Sequence, residues 1–293
     1  MATTMDRIAE TLPGGTEDPV ARIKTVIEPR RGWQVVDWRD IWKRRELLYF
    51  LVWRDIKVRY KQTTLGAAWA LLQPLATMVV FTVVFGRFSG LAASTDVPYP
   101  VFVLAALLPW TFFSNGVAQA GQSLLTSSNL ISKIYFPRIL VPLAPVLAGL
   151  MDLGVSLLCL FVLMPWYGVS FSATTPLAIL FLGGVLLAAA AVGTLLSALV
   201  VVYRDVRHVI AFVLQLWMFL SPVAYPLEVV PERWRPWYAL NPMAGMIGGF
   251  RAAILGGAFD WAAIAISSAS IVVILIVALG YFRSVERRLA DII

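Results

Sequence analysis

The sequence predicts an all-α integral membrane protein. It should have six transmembrane helices, both termini in the cytoplasm, an N-terminal amphipathic interface helix, and short re-entrant outer helices between spans five and six. Three observations predict this. Hydrophobic residues form 59% and charged residues 14% of the 293-residue chain, far from the roughly half and one quarter of soluble domains. Several apolar runs approach or exceed the ~20 residues that cross a bilayer. The basic residues, finally, alternate between connections in a pattern that assigns sides.

Taken in order, residues 1–36 are polar, mixed in charge and rich in Pro and Gly. They lack the apolar h-region of a signal peptide and read as a cytosolic tail. Residues 37–64 read as the interface helix, within "DIWKRRELLYFLVWRDIKVRYKQTTLG" (40–66). At helical spacing Arg54, Lys57 and Lys61 share one face, while Trp53, Ile56 and Tyr60 share a neighbouring one. Basic residues toward headgroups and aromatic residues toward the acyl boundary make an interfacial helix. A plain juxtamembrane basic cluster is the competing reading. The transmembrane domain then occupies 65–293, with spans at Gly66–Phe88, Val101–Gly121, Leu140–Met164, Pro176–Val202, Val209–Tyr225 and Trp261–Phe282.

Thirteen of the 24 Lys and Arg fall between Arg7 and Lys61, before the first span. The 89–100 and 165–175 connections hold none, whereas 122–139 holds Lys133 and Arg138, and the next holds Arg204 and Arg207. The positive-inside rule therefore puts both termini and the second and fourth connections in the cytoplasm. The fifth span is the irregular one: its apolar run is interrupted by Ser221 and Pro222. Proline removes a donor and restricts its predecessor, so the helix should bend or end near Pro222. "NPMAGMIGGFRAAIL" (241–255) then begins with an Asn-Pro helix start but is too short to cross. Because the stretch stays apolar and rich in small residues, we read it as re-entrant, which demands cover by protein or a wet cavity. A long surface loop is the alternative.

What is missing narrows the function. No Gly-Lys pair occurs, so no P-loop can bind ATP on this chain. One His and one Cys cannot build a metal cluster or a Ser-His-Asp set. No metal site, catalytic residue or resident cofactor is expected, nor is nucleic acid a partner. Asp152 is nearly the sole charge within the spans; one acid without a companion serves a proton relay poorly and suits a structural hydrogen bond better. The loops "SSNLISKIYFPRILVPL" (127–143) and "YRDVRH" (203–208) carry unusual apolar and aromatic content. The first can form a brief helix presenting Leu130, Ile131 and Tyr135 to a cytosolic partner; an ordinary loop is the bland reading of either.

Several segments match one known family in order: "RDIKVRYKQTTLGAAWALLQPL" (54–75), "NLISKIYFPRILVPL" (129–143), "YRDVRH" (203–208), and "FLSPVAYPLEVVP" with "ALNPM" and "GFR" (219–251). On these the chain resembles the transmembrane subunit of type-2 ABC exporters, in particular the polysaccharide-export permeases (the Wzm, KpsM and TagG/TarG group). The resemblance implies a homodimer of this chain with two copies of a nucleotide-binding ATPase, which alone holds ATP and Mg. It implies a lipid-linked glycan as substrate and the bacterial cytoplasmic (inner) membrane as location. It also implies ATPase-coupling contacts at Asn129, Leu130, Ile131, Lys133, Tyr135, Arg204, Asp205 and Arg207. Pro222, Tyr225, Pro226, Asn241 and Pro242 would belong to an outer gate.

A glycan suits the residues. Sugars stack C–H faces on aromatic rings and hydrogen-bond to neutral polar side chains. Trp69, Gln73, Thr77, Phe81 and Phe85 follow at i+4 spacing along span one, and Trp110 and Phe113 add aromatic area in span two. These seven are the translocation-path candidates, against plain aromatic packing and interfacial belting. Arg54, Lys57, Arg59 and Lys61 are placed by charge to meet a lipid diphosphate, a role that generic attraction to anionic lipid matches equally. The expected function is export of a lipid-linked polysaccharide of the O-antigen, capsule or teichoic-acid class. An exporter of small amphipathic molecules, a membrane glycan-modifying enzyme and a passive channel are the rivals.

Overall fold

The computed structural model describes residues 42–61, 68–88, 90, 95, 97–133 and 136–286. The 1–36 tail, the outer parts of the 37–64 segment and Tyr135 lie outside them. Among the described residues every regular element is helical. α1 is Arg45–Lys61 and α2 is Ala68–Phe81, continued by a π-helical stretch Thr82–Phe88. α3 (Tyr99–Thr126) is followed at once by the short α4 (Ser128–Lys133). α5 (Leu140–Trp166), α6 (Ala178–Val202) and α7 (Val206–Phe219) come next. Two short 3₁₀ turns then precede α8 (Arg235–Ala239), α9 (Pro242–Leu255) and α10 (Trp261–Glu286).

Among the described residues, five helices are long and apolar enough to cross a membrane: Ala68–Phe88, Tyr99–Thr126, Leu140–Trp166, Thr175–Val202 and Trp261–Glu286. Each matches an expected span to within a few residues. The expected fifth span differs. Its helix runs from Val206 to Phe219 and ends at Leu220 instead of reaching Tyr225. Fourteen residues rise about 21 Å, short of the ~30 Å hydrocarbon core. Pro222, two residues past the C-cap, could not have continued the helix.

α3 is the axis of the fold. Of its most apolar 18-residue window, 78% is buried, against 17% for the α2 span and 22% for α10. The α3–α6 approach is set by small residues, Gly116 and Ala120 facing Ala189 and Gly193. A Cβ on Gly193 would lie 2.6 Å from that of Ala120, so the backbones meet as in other small-residue membrane packings. α9 packs against α6, α10 and α3, and nearly all of it is buried. A smaller apolar cluster joins Leu51 of α1 to Leu124, Ile131, Phe136, Leu140 and Val285. This cluster fixes where α1 sits and leaves its other face exposed.

Candidate functional site

Polar side chains gather at two opposite ends of α3. At its C-terminal half, a cleft of about 550 Å³ opens between α1, the first turns of α2, α3 and α5. Arg59 of α1 pairs there with Asp152 of α5 and donates to Gln119 of α3. Tyr60 donates to the other Asp152 oxygen, so both carboxylate oxygens are used. An acid in a membrane helix is tolerable when neutralised and hydrogen-bonded in this way. One turn on, the Ser156 hydroxyl donates to the Ala70 carbonyl at 3.0 Å, tying α5 to α2.

Beyond the Arg59–Asp152 pair and Asp55, whose carboxylate pairs with Arg54, the cleft presents neutral groups. Trp69 is 57% exposed, and Gln73, Asn115 and Gln119 are exposed beside it. An open aromatic face flanked by amides offers stacking and hydrogen bonds, with its one cation already matched by a carboxylate. The expected path stripe divides on the structure. Trp69 and Gln73 line the cleft, whereas the Thr77 hydroxyl turns back to the Gln73 carbonyl at 2.9 Å. Phe81 is buried and meets Phe85 edge-on at 5.3 Å. Trp110 and Phe113 are buried in the core, Phe113 edge-to-face with Trp217 at 5.2 Å.

The four basic candidates also divide. Arg59 is held in the cleft, and Arg54 pairs with its neighbour Asp55 at 2.8 Å. Lys57 places its Nζ 5.4 Å over the Trp53 ring, and Trp53 in turn stacks on Tyr49. Lys61 is exposed. Of the face read as Trp53, Ile56 and Tyr60, only Trp53 is exposed; the other two are half-buried. On α4, Asn129 and Lys133 are exposed and Leu130 is half-buried. Ile131 turns inward, 8% exposed, into the cluster with Leu51 and Phe136. Arg204, Asp205 and Arg207 are all exposed, and Arg207 donates to His208 at 3.0 Å.

At the other end of α3 lies the interrupted segment after α7. Irregular backbone buried in apolar surroundings needs a partner for each polar group, and side chains from elsewhere supply them. The Leu220 carbonyl accepts from Asn241 Nδ2 at 3.0 Å. Those of Pro222 and Val223 accept from Arg251 Nη2 at 2.7 and 3.0 Å. The Ala224 carbonyl accepts from the Tyr99 hydroxyl at 2.6 Å. Asn241 does more: its Oδ1 accepts from Met243 N as the N-cap of α9 and from Trp217 Nε1 of α7. The helix start at Asn241-Pro242 is thus as expected, and it anchors α7 as well. Pro222 is buried and Pro226 half-buried. Tyr225 donates to the Phe219 carbonyl at 2.9 Å and meets the Tyr238 hydroxyl at 3.0 Å. Burial, reinforced by Tyr225, pushes the Tyr238 hydroxyl well above its ordinary range, so it stays neutral.

Two functional-looking groups escape a reading from sequence alone. Arg251 is the only charge in 241–255; a lone cation in a buried apolar stretch must be paired, which is the signal that could have found it. The partner of Asp152 comes from α1, outside the spans, and no local pattern announces so distant a pair.

Comparison with known proteins bears on what these groups serve. Residues 46–255 match the family described as "ABC-2 type transporter". The chain is 29% identical over 224 residues to the O-antigen export system permease protein RfbA of Myxococcus xanthus, covering 73% of this chain and 82% of that protein. It is 26% identical over 255 residues to the protein of the same name in Klebsiella pneumoniae, covering 85% and 95%. The polysialic acid transport protein KpsM of Escherichia coli is 26% identical over 215 residues, covering 70% and 79%.

Proposed function

The chain belongs to the ABC-2 type transporter family, and on that footing we propose that it moves a lipid-linked polysaccharide outward across the bacterial inner membrane. The glycan is of the O-antigen, capsule or teichoic-acid class. Relatives named for O-antigen export and polysialic acid transport support the substrate class. The observation that carries the reading is the cleft, where Trp69, Gln73, Asn115 and Gln119 offer an aromatic face and neutral amides. Such a lining suits stacked, hydroxyl-rich sugars. It also lacks the uniform apolar wall that a small lipophilic cargo favours.

The working unit in this reading is two copies of the chain with two ATPase subunits, which hold ATP and Mg. Asn129 and Lys133 of α4, with Arg204, Asp205 and Arg207, face the ATPase. Ile131 seats α4 on Leu51 of α1, and Arg59 latches α1 to Asp152 of α5. A push on α4 therefore reaches the wall of the cleft through packed contacts. The exposed Tyr49, Phe50 and Trp53 of α1, with Lys57, lie at the cytoplasmic membrane surface. α7 together with the 220–225 segment completes a six-pass topology with both termini inside. α8 and α9 form the re-entrant outer elements, and Pro222, Tyr225, Pro226, Asn241 and Pro242 shape the exit.

The test is reconstitution of the chain with its ATPase in proteoliposomes. ATP should drive a lipid-linked polysaccharide across the bilayer and leave a small amphipathic dye unmoved. Transport of the dye without the polysaccharide would make the chain a small-molecule exporter instead.

A further inference from the structure

A second cavity, of about 690 Å³, lies between the start of α3, the 226–229 turn, one side of α9 and the start of α10. That is the size of a small-molecule site, roughly 300–1,000 Å³. Neither the cleft nor the capping of the 220–224 carbonyls makes use of it. Gly248 of α9 lines the cavity, and a Cβ built there meets nothing within 4 Å. The helix thus keeps open a space that almost any side chain at that position would fill.

Three charged side chains line the space, and their chemistry is selective. Arg251 is 7% exposed, with its guanidinium carbon 3.7 Å from the centre of the Phe102 ring. Its Nη2 serves the Pro222 and Val223 carbonyls, while its buried Nε has no partner among the described residues. A guanidinium so deeply desolvated favours any further acceptor oxygen brought to it. Glu228 stands exposed at the rim, and Asp260 commits Oδ1 to the Ala263 amide at 2.9 Å, leaving its second oxygen.

Carboxylates therefore outnumber the guanidinium. A polyanion entering here meets like charge, and a cation meets the buried Arg251. A neutral sugar meets neither penalty, since each hydroxyl donates to a carboxylate and accepts from a guanidinium. We propose that this cavity is a binding subsite for neutral sugar units of the exported glycan. The assignment rests on the polysaccharide reading above and narrows it from glycans in general to neutral ones at the exit side.

The experiment is saturation-transfer NMR on the full chain with its ATPase in nanodiscs. Mannotriose serves as the neutral probe and trigalacturonate as the acidic one. Both are measured in a Trp69→Ala background so that the cleft contributes little. Mannotriose should receive saturation, and trigalacturonate roughly tenfold less. Gly248→Leu, which fills the empty space and leaves Arg251 in place, should abolish the mannotriose signal. Glu228→Gln, at an exposed position, should weaken binding about tenfold through loss of a charged acceptor. Undiminished mannotriose binding in Gly248→Leu, or stronger binding of trigalacturonate, would overturn the subsite. The two readings fail separately. A complex that exports polysaccharide while Gly248→Leu binds mannotriose normally refutes the subsite alone. One that exports none, yet loses mannotriose binding in Gly248→Leu, refutes the export reading alone.

Discussion

α7 and α9 are both fourteen residues long and both apolar, yet the fold treats them oppositely. α7 buries only Ile210 and Leu214, and leaves Val209, Phe212, Val213, Leu216 and Phe219 at 45% exposure or more. In α9 twelve residues are buried, including Arg251. Length and hydropathy therefore did not decide the outcome; the neighbours did. α9 is wrapped by α6, α10 and α3, and its glycines permit that closeness, since a Cβ on Gly245 would stand 2.6 Å from the Ala263 carbonyl. α7 keeps an apolar face that the other described residues leave uncovered. The buried helix also holds the exposed one, because Asn241 and Arg251 satisfy the carbonyls left open where α7 stops.

The contrast can be broken most forcefully at Arg251. Arg251→Ala should strand two buried carbonyls and cost about 3 kcal/mol or more, read as a lowered unfolding midpoint in micelles. Arg251→Lys should recover part of it, since one ammonium can still reach one carbonyl. A smaller loss is expected for Asn241→Ala, about 1–2 kcal/mol from the N-cap and its links to α7; amide exchange should quicken at the end of α7 before it does in α6. Smallest is Phe212→Ala on the exposed face of α7, which should shift stability by no more than about 0.5 kcal/mol. A large loss there in the isolated chain would show that α7 is packed in a way the comparison denies.

The same contrast explains what could be read from the sequence. Five spans were visible because each apolar run exceeds the bilayer-crossing length. Proline grammar gave an end near Pro222, although the helix already stops after Phe219, and it gave the start at Asn241-Pro242. Periodicity found the Trp69-to-Phe85 stripe, but it cannot say which neighbour covers a face, so it did not separate Trp69 and Gln73 in the cleft from Phe81 in the core. Ile131 shows the same limit: its place on a short helix was foreseeable, its inward turn onto Leu51 was not. Arg251 and the Arg59–Asp152 pair depend on contacts between residues 28 to 93 positions apart, about which local pattern is silent.

In the proposed function the cleft is the place where the glycan is handled. The direct test is ATP-driven translocation of a lipid-linked polysaccharide by the chain and its ATPase in proteoliposomes, comparing wild type with a Trp69→Ala, Gln73→Ala double variant. Loss of one stacking face and one amide should slow export at least roughly tenfold, with assembly on the ATPase intact. Export by the assembled double variant at the wild-type rate would contradict it.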